Sequence, residues 1–328
     1  MFAFINKAYI GFLLVFALVN NYCLREKKIM PGIEKLKNVI TAMISPLKED
    51  FSLDEMKYRE FIRFQIDNGC HILTMGTTGE SATMSHEEHH VAMDITIDEA
   101  KKSKQDPFVL AGAGSNSTKE AVSLSQYAEK AGADGILIVV PYYNKPVQHS
   151  LIDHFSTIAD SVSLPIILYN VPSRTGRNLE PETISKLAHS KDNIVGVKCA
   201  SGNIDQITKI IKTTPDDFIV LSGDDSMTYH IMALGGMGVV SVASNIIPAQ
   251  LVEFTNRMLN NEWEKARKMQ LKLYNLFKVL FIESNPGPVK FAAEIMGLMN
   301  VRMRLPLTPP LKENQKKIKD VLSNLQLI

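Results

Sequence analysis

Cysteine is scarce in this sequence: Cys23, Cys70 and Cys199 are the only three in 328 residues, and no C-x-x-C pair occurs. That excludes a disulfide framework and a cysteine-rich zinc site, and it suits a reducing compartment. An excess of charge of one sign is lacking too. Thirty-six Lys and Arg stand against 35 Asp and Glu, a formal net charge of +1. A nucleic-acid binder whose affinity rests on a broad basic surface is therefore not expected. No apolar run reaches the roughly 20 residues that span a bilayer. The longest, 8–19, is broken only by Gly11. What is present is the balance of a folded globular chain, 45% hydrophobic and 22% charged.

The apolar run 8–19 follows Lys7 and precedes Arg25, Lys27 and Lys28. It has the length of a signal-peptide core, but Val19, Asn20, Asn21 and Tyr22 offer no small-x-small cleavage site. Three readings of 1–29 stand side by side: an overrun ahead of a true start at Met30, a membrane tether, or a cleaved signal. The remainder is expected in the cytoplasm.

From Val39 onward, short apolar runs alternate with amphipathic stretches. The runs are 39–44, 71–75, 108–111, 135–140, 166–169, 194–198, 218–222 and 238–242. The stretches are 53–68, 86–102, 119–131, 149–162, 181–188, 204–213, 226–234 and 248–260. Strands that do not alternate in polarity are buried on both faces, as in parallel sheets. Eight such strands, each followed by a helix, predict a closed (β/α)8 barrel over 30–260. A doubly wound sheet would show a Gly-rich first turn, and Pro46-Leu47-Lys48 is not one. Beyond 260 the alternation stops, and 263–282, 289–299 and 311–325 read as a C-terminal helical region, 261–328, punctuated by prolines.

In such a barrel the active site lies at the C-terminal ends of the strands. Polar residues gather there. Lys198 closes the apolar strand Ile194-Val195-Gly196-Val197. Burial lowers a lysine's pKa and frees a neutral amine for a Schiff base with a carbonyl substrate. The alternative is a Lys198 that reaches solvent or pairs with Asp224. Thr77 and Thr78 lie in a Gly-flanked turn whose hydroxyls and backbone N–H groups can hold a carboxylate, or merely satisfy local backbone. Tyr169 ends the fifth strand, where a phenol can shuttle a proton or simply belong to the core. Arg174, in the loop beyond it, can hold a carboxylate bidentately. Arg177 can do the same or stay in solvent.

These segments resemble a known family. GTTGESAT at 76–83, PYYN at 141–144, LYNVPSRTG at 168–176, GVK at 196–198, SGDD at 222–225 and GVVSVASN at 238–245 occur in order. NPGPVK at 285–290 and RLPL at 304–307 carry the likeness into the tail, so that it covers about 36–310. The chain is similar to the pyruvate-dependent class I aldolases, the family of dihydrodipicolinate synthases and N-acetylneuraminate lyases. PYYN together with the Arg of SRTG favours the synthase side. The resemblance implies a lyase without metal or organic cofactor. It would condense pyruvate with L-aspartate 4-semialdehyde to 4-hydroxy-tetrahydrodipicolinate, on the route to diaminopimelate and lysine. Lys198 would carry the imine, and Tyr169, Thr77 and Tyr143 would relay protons, with Tyr143 crossing from a neighbouring subunit of a homotetramer built as a dimer of dimers. Thr78 would hold the pyruvate carboxylate and Arg174 that of the aldehyde. Gly223 and the carbonyl of Val240 would line the Lys198 pocket. Ser81, Ala82, His86, His89, Asn116, Glu120 and Tyr142 would form a site for inhibitory L-lysine. Cys199 departs from the family, whose members usually place an acidic residue after the lysine.

A rival pattern crosses this reading. His86-Glu87-Glu88-His89-His90 satisfies H-E-x-x-H, which on a helix sets His86 and His90 on one face around a zinc ion, with Glu87 as base. The simpler account is a helix start capped by Ser85, with the glutamates favouring the helix dipole.

Overall fold

The computed structural model describes residues 32–328. The expectations for 1–29, and Cys23, lie outside the described residues. Eight parallel strands close into a barrel in chain order: β1 (Asn38–Ala42), β2 (His71–Thr74), β3 (Val109–Gly112), β4 (Gly135–Val139), β5 (Ile166–Asn170), β6 (Ile194–Cys199), β7 (Ile219–Ser222) and β8 (Gly238–Ser241). β8 returns to pair with β1, which rules out the open sheet. One helix follows each strand: α1 (Glu55–Asp67), α2 (His86–Lys102), α3 (Thr118–Ala131), α4 (Gln148–Ala159), α5 (Pro181–Ser190), α6 (Ile204–Thr213), α7 (Thr228–Ala233) and α8 (Pro248–Leu259). The tail adds α9 (Trp263–Val279), α10 (Gly287–Ile295) and α11 (Lys312–Asn324). Among the described residues no helix is long and apolar enough to cross a membrane.

Local sequence chooses where these helices begin. Asp54, Ser117 and Asn203 accept from the backbone N–H three residues on and so start α1, α3 and α6. Ser85 and Glu88 cap each other's backbone at the start of α2, a reciprocal box. Helix α10 begins two residues earlier than the prolines suggested. Pro288 sits in its first turn, where the missing N–H has no intrahelical partner to lose, and the chain then turns at Gly297 with φ +74°.

The strands are buried on both faces because each face meets a different core. Ile72, Ala111, Ile138, Leu168, Val197, Val220 and Val239 join one continuous apolar cluster with the helices. Ile40, Leu73, Leu110, Leu137, Ile167, Leu221 and Val240 have the opposite parity, are equally buried, and fill the barrel interior. The same parity decides the chemistry. Tyr169 pairs with Lys198 and Lys198 with Leu221, so both polar side chains enter the interior in its last layer, at the C-terminal mouth.

The tail closes over that mouth. Lys290 of α10 is fully buried and donates to Glu80 Oε1 at 2.6 Å, to the Ser45 carbonyl at 2.9 Å and to the Arg302 carbonyl. Arg304 donates to the Phe51 and Thr83 carbonyls and forks onto Glu88. These contacts fix the β2–α2 loop, which carries Thr77 and Thr78.

Candidate active site

A cavity of about 360 Å3 opens at the C-terminal ends of β2, β5, β6 and β7. Thr77, Thr78, Tyr169, Arg174, Lys198 and Gly223 all line it. Close packing at glycine makes this approach feasible. A side chain at Gly112 would meet the Met75 carbonyl at 2.2 Å and push away the turn that bears the threonines. One at Gly223 would lie 2.8 Å from the Ala200 Cβ, on the floor of the cavity.

Lys198 is 6% exposed. Its Nζ lies 4.1 Å from the centroid of the Tyr169 ring, and no salt bridge to Asp224 forms among the described residues. Burial pushes its pKa down to about 7, the positive charge of Arg174 adds to the fall, and Asp225 opposes it. Lys198 is thus substantially neutral just above neutrality, the state a nucleophilic amine requires. Burial raises the Tyr169 phenol, with Arg174 and Thr77 acting the other way, so it stays a proton donor beside the amine. Asp225, pushed up to about 6 by burial, accepts from the Ser241 hydroxyl at 2.5 Å and from the N–H groups of Val242 and Ala243 at 3.0 Å. It ties β7 to the end of β8.

Arg174 does not lie in an irregular loop. Pro172–Thr175 forms a single helical turn, begun by a proline and ended by Gly176 in the left-handed region. The guanidinium donates to the Asn285 carbonyl at 3.3 Å. The Asn285 amide in turn donates to Thr78 Oγ1 at 2.9 Å. That bond uses an acceptor site of the Thr78 hydroxyl and leaves its O–H free to donate, the polarity a carboxylate ligand needs.

Two of the expected residues are not in this cavity. Tyr143 is 90% exposed, in the left-handed region at φ +69°, and is not among the residues that line the cavity. Val240 is buried in β8, and Val242 lines the cavity on that side. Arg177 donates to the Lys145 carbonyl on the rim.

A second cavity, of about 620 Å3, adjoins the first. Ser81, Ala82, His86, His89, Glu120 and Tyr142 line it. Asn116 stands behind Tyr142, donating to its carbonyl at 3.2 Å. His86 Nε2 donates to Glu120 Oε1 at 2.7 Å, and Ser115 donates to the other oxygen. The Ser115 hydroxyl holds Glu120 below the usual carboxylate range; burial opposes this and His86 assists. His89 donates to the Gly112 carbonyl at 2.8 Å, and burial depresses its pKa. Thr77, Val171, Arg174 and Asn285 line both cavities. The histidines therefore do not form the zinc arrangement of H-E-x-x-H. His86 turns to Glu120, while His90 stacks on Tyr127 with ring centroids 3.5 Å apart.

Against known proteins, the model of the dihydrodipicolinate synthetase family matches residues 35–325. The chain belongs to this family. It is 48% identical over 292 residues to the 4-hydroxy-tetrahydrodipicolinate synthase of Archaeoglobus fulgidus, covering 89% of this chain and 99% of that one. The crystal structure of dihydrodipicolinate synthase from Aquifex aeolicus superposes with a TM-score of 0.86 at 44% identity, over 89% of this chain and 98% of that one. The synthase of Cyanidioschyzon merolae, solved with lysine bound, gives a TM-score of 0.87 at 37% identity, over 90% and 99%.

Within this dihydrodipicolinate synthetase family member, two features escaped the reading of residues alone. Asn285 and Lys290 belong to the NPGPVK motif, yet nothing local assigned them to the barrel mouth, where their partners Thr78 and Glu80 lie 207 and 210 residues earlier in the chain. Their only signal was a polar pair set among prolines and apolar residues.

Proposed function

We propose that the chain condenses pyruvate with L-aspartate 4-semialdehyde through an imine on Lys198, giving 4-hydroxy-tetrahydrodipicolinate for the lysine and diaminopimelate route. One observation carries this: a buried lysine lowered to about 7 shares a small cavity with a phenol, paired threonine hydroxyls and an arginine. The neutral amine adds to the keto carbon of pyruvate and water leaves. The imine then draws electrons from the methyl carbon, which loses a proton and becomes an enamine. That carbon attacks the aldehyde, and the oxygen formed takes up a proton. Finally the α-amino group of the semialdehyde displaces Lys198 from the imine carbon, closing the ring and freeing the enzyme. One water is released overall. Tyr169 and Thr77 stand where those protons move, Thr78 faces the pyruvate carboxylate, and Arg174 faces that of the aldehyde.

The exposure of Tyr143 supports its delivery to a second copy, within a homotetramer made of two dimers. The wall common to both cavities supports a lysine site coupled to catalysis, and the lysine-bound relative is in keeping with it. A cytoplasmic setting fits free, buried Cys70 and Cys199. Reduction with borohydride in the presence of pyruvate tests the core of the reading. One pyruvate-derived mass is expected on the peptide containing Lys198. Labelling elsewhere, or none, overturns it. Cleavage of N-acetylneuraminate with no activity toward aspartate semialdehyde would instead make the chain a lyase of that type.

A further inference from the structure

Asn285 is 4% exposed and lines the cavity beside Arg174. Its Nδ2 is used, donating to Thr78, and its backbone carbonyl is used, accepting from Arg174. Its side-chain Oδ1 is buried and has no hydrogen-bond partner among the described residues. A buried acceptor left unmade is costly, and such groups in native proteins are matched by water or by a ligand donor. The ligand proposed for Arg174 is an α-amino acid. When the guanidinium holds its carboxylate, the ammonium on the same carbon is carried to the neighbouring residue, and an ammonium is a donor only. A neutral amide oxygen suits this position better than a carboxylate would, since a carboxylate beside Arg174 would pair with it and occupy the fork. The charged competitor in the cavity, Asp224, caps the following turn through Oδ1, accepting from the Ser226 N–H and hydroxyl at 2.8 Å.

We infer that Asn285 is a specificity residue for the second substrate, accepting a hydrogen bond through Oδ1 from the α-ammonium of the semialdehyde. The inference rests on the condensation proposed above and deepens it. The same side chain orients the Thr78 hydroxyl, so its two ends serve the two substrates separately.

The test uses the full chain and two aldehydes: L-aspartate 4-semialdehyde, and succinate 4-semialdehyde, which lacks the amino group, as a competitive inhibitor. The backbone carbonyl that holds Arg174 survives any substitution at this position. Asn285→Ala should raise the KM for the amino aldehyde roughly ten- to a hundredfold, the size of one hydrogen bond to a charged group, and leave the inhibition constant of its amino-free analogue within about threefold. Asn285→Leu keeps the branched shape and should behave alike, which covers the case of an alanine variant that does not fold. Asn285→Asp keeps an acceptor but loses the donor to Thr78. It also sets a carboxylate beside Arg174, so the KM for pyruvate should rise and both aldehydes should bind more weakly. Unchanged discrimination in folded alanine and leucine variants that still take the pyruvate label on Lys198 would overturn the inference. So would its loss in Asp224→Asn alone. Absence of the label in the unmutated chain would refute the condensation itself, and the inference with it.

Discussion

Replacing Lys198 by methionine should make the protein more stable in a pH-dependent way. The folded lysine titrates at about 7 rather than at its ordinary 10.5. Between those values the unfolded chain binds a proton there that the folded chain does not, so the native protein gains stability as pH rises. The penalty of the buried ammonium is full below about 7 and gone above 10.5. At about 1.36 kcal/mol per pH unit, the gap is worth up to roughly 5 kcal/mol. Lys198 is buried, so solvent screening removes little of it. Methionine has a similar length, no charge, and apolar neighbours below it. Urea unfolding of both proteins at one concentration, from pH 6 to 10, gives the difference directly. Lys198→Met should exceed the native chain by several kcal/mol at pH 6, and the two should converge near pH 10. A gap that stays constant across that range, or a native chain that is more stable at pH 6, would refute the reasoning. The same titration governs reactivity. The initial rate of pyruvate trapping should rise about tenfold from pH 6 to 8, as the neutral fraction grows. Arg174→Ala should move that rise to higher pH, because its charge is the second cause of the depression.

Arg174→Ala should also raise the KM for aspartate semialdehyde about ten- to a hundredfold, and that for pyruvate far less, through loss of a charge-assisted contact; equal effects in steady-state kinetics would count against the assignment. Lys198→Ala and Tyr143→Phe should each be nearly inactive alone. Co-refolded in equal amounts they should recover about a quarter of native activity, since half of the dimers are mixed and each mixed dimer has one complete site; no recovery would place Tyr143 in its own subunit's site. L-Lysine should inhibit, and Glu120→Thr should abolish inhibition while leaving most activity. Unchanged rates at millimolar lysine, with no heat of binding, would show a mere packing patch.

How much of this was legible before the fold was known depended on distance along the chain. Strand and helix order came from periodicity, because burial on two faces leaves continuous apolar runs and burial on one leaves amphipathic ones. Lys198 was visible as a charge ending such a run, and Ser85 as a cap, since both signals lie within a few residues. Boundaries slipped where short-range rules compete. Pro288 looked like a stop but opened a helix, and Arg174 looked like loop but sits in a proline-started turn.

What the sequence by itself determined is the set of local propensities, and those sufficed for a (β/α)8 barrel with its polar residues on one rim. Tertiary structure alone decided which of those residues meet. Barrel closure brings β8 to β1, and strand register sets Tyr169 beside Lys198 in one interior layer. Helix α10 returns over the mouth to place Asn285 between Thr78 and Arg174, and Lys290 against Glu80, across 207 and 210 residues. Tyr143, identified by its motif, stands outside its own cavity. His86 and His90, a metal pattern on paper, are turned apart by Glu120 and Tyr127. The low pKa of Lys198 likewise belongs to no segment of the chain: it arises from burial and a neighbouring charge, both of which exist only once the barrel has closed.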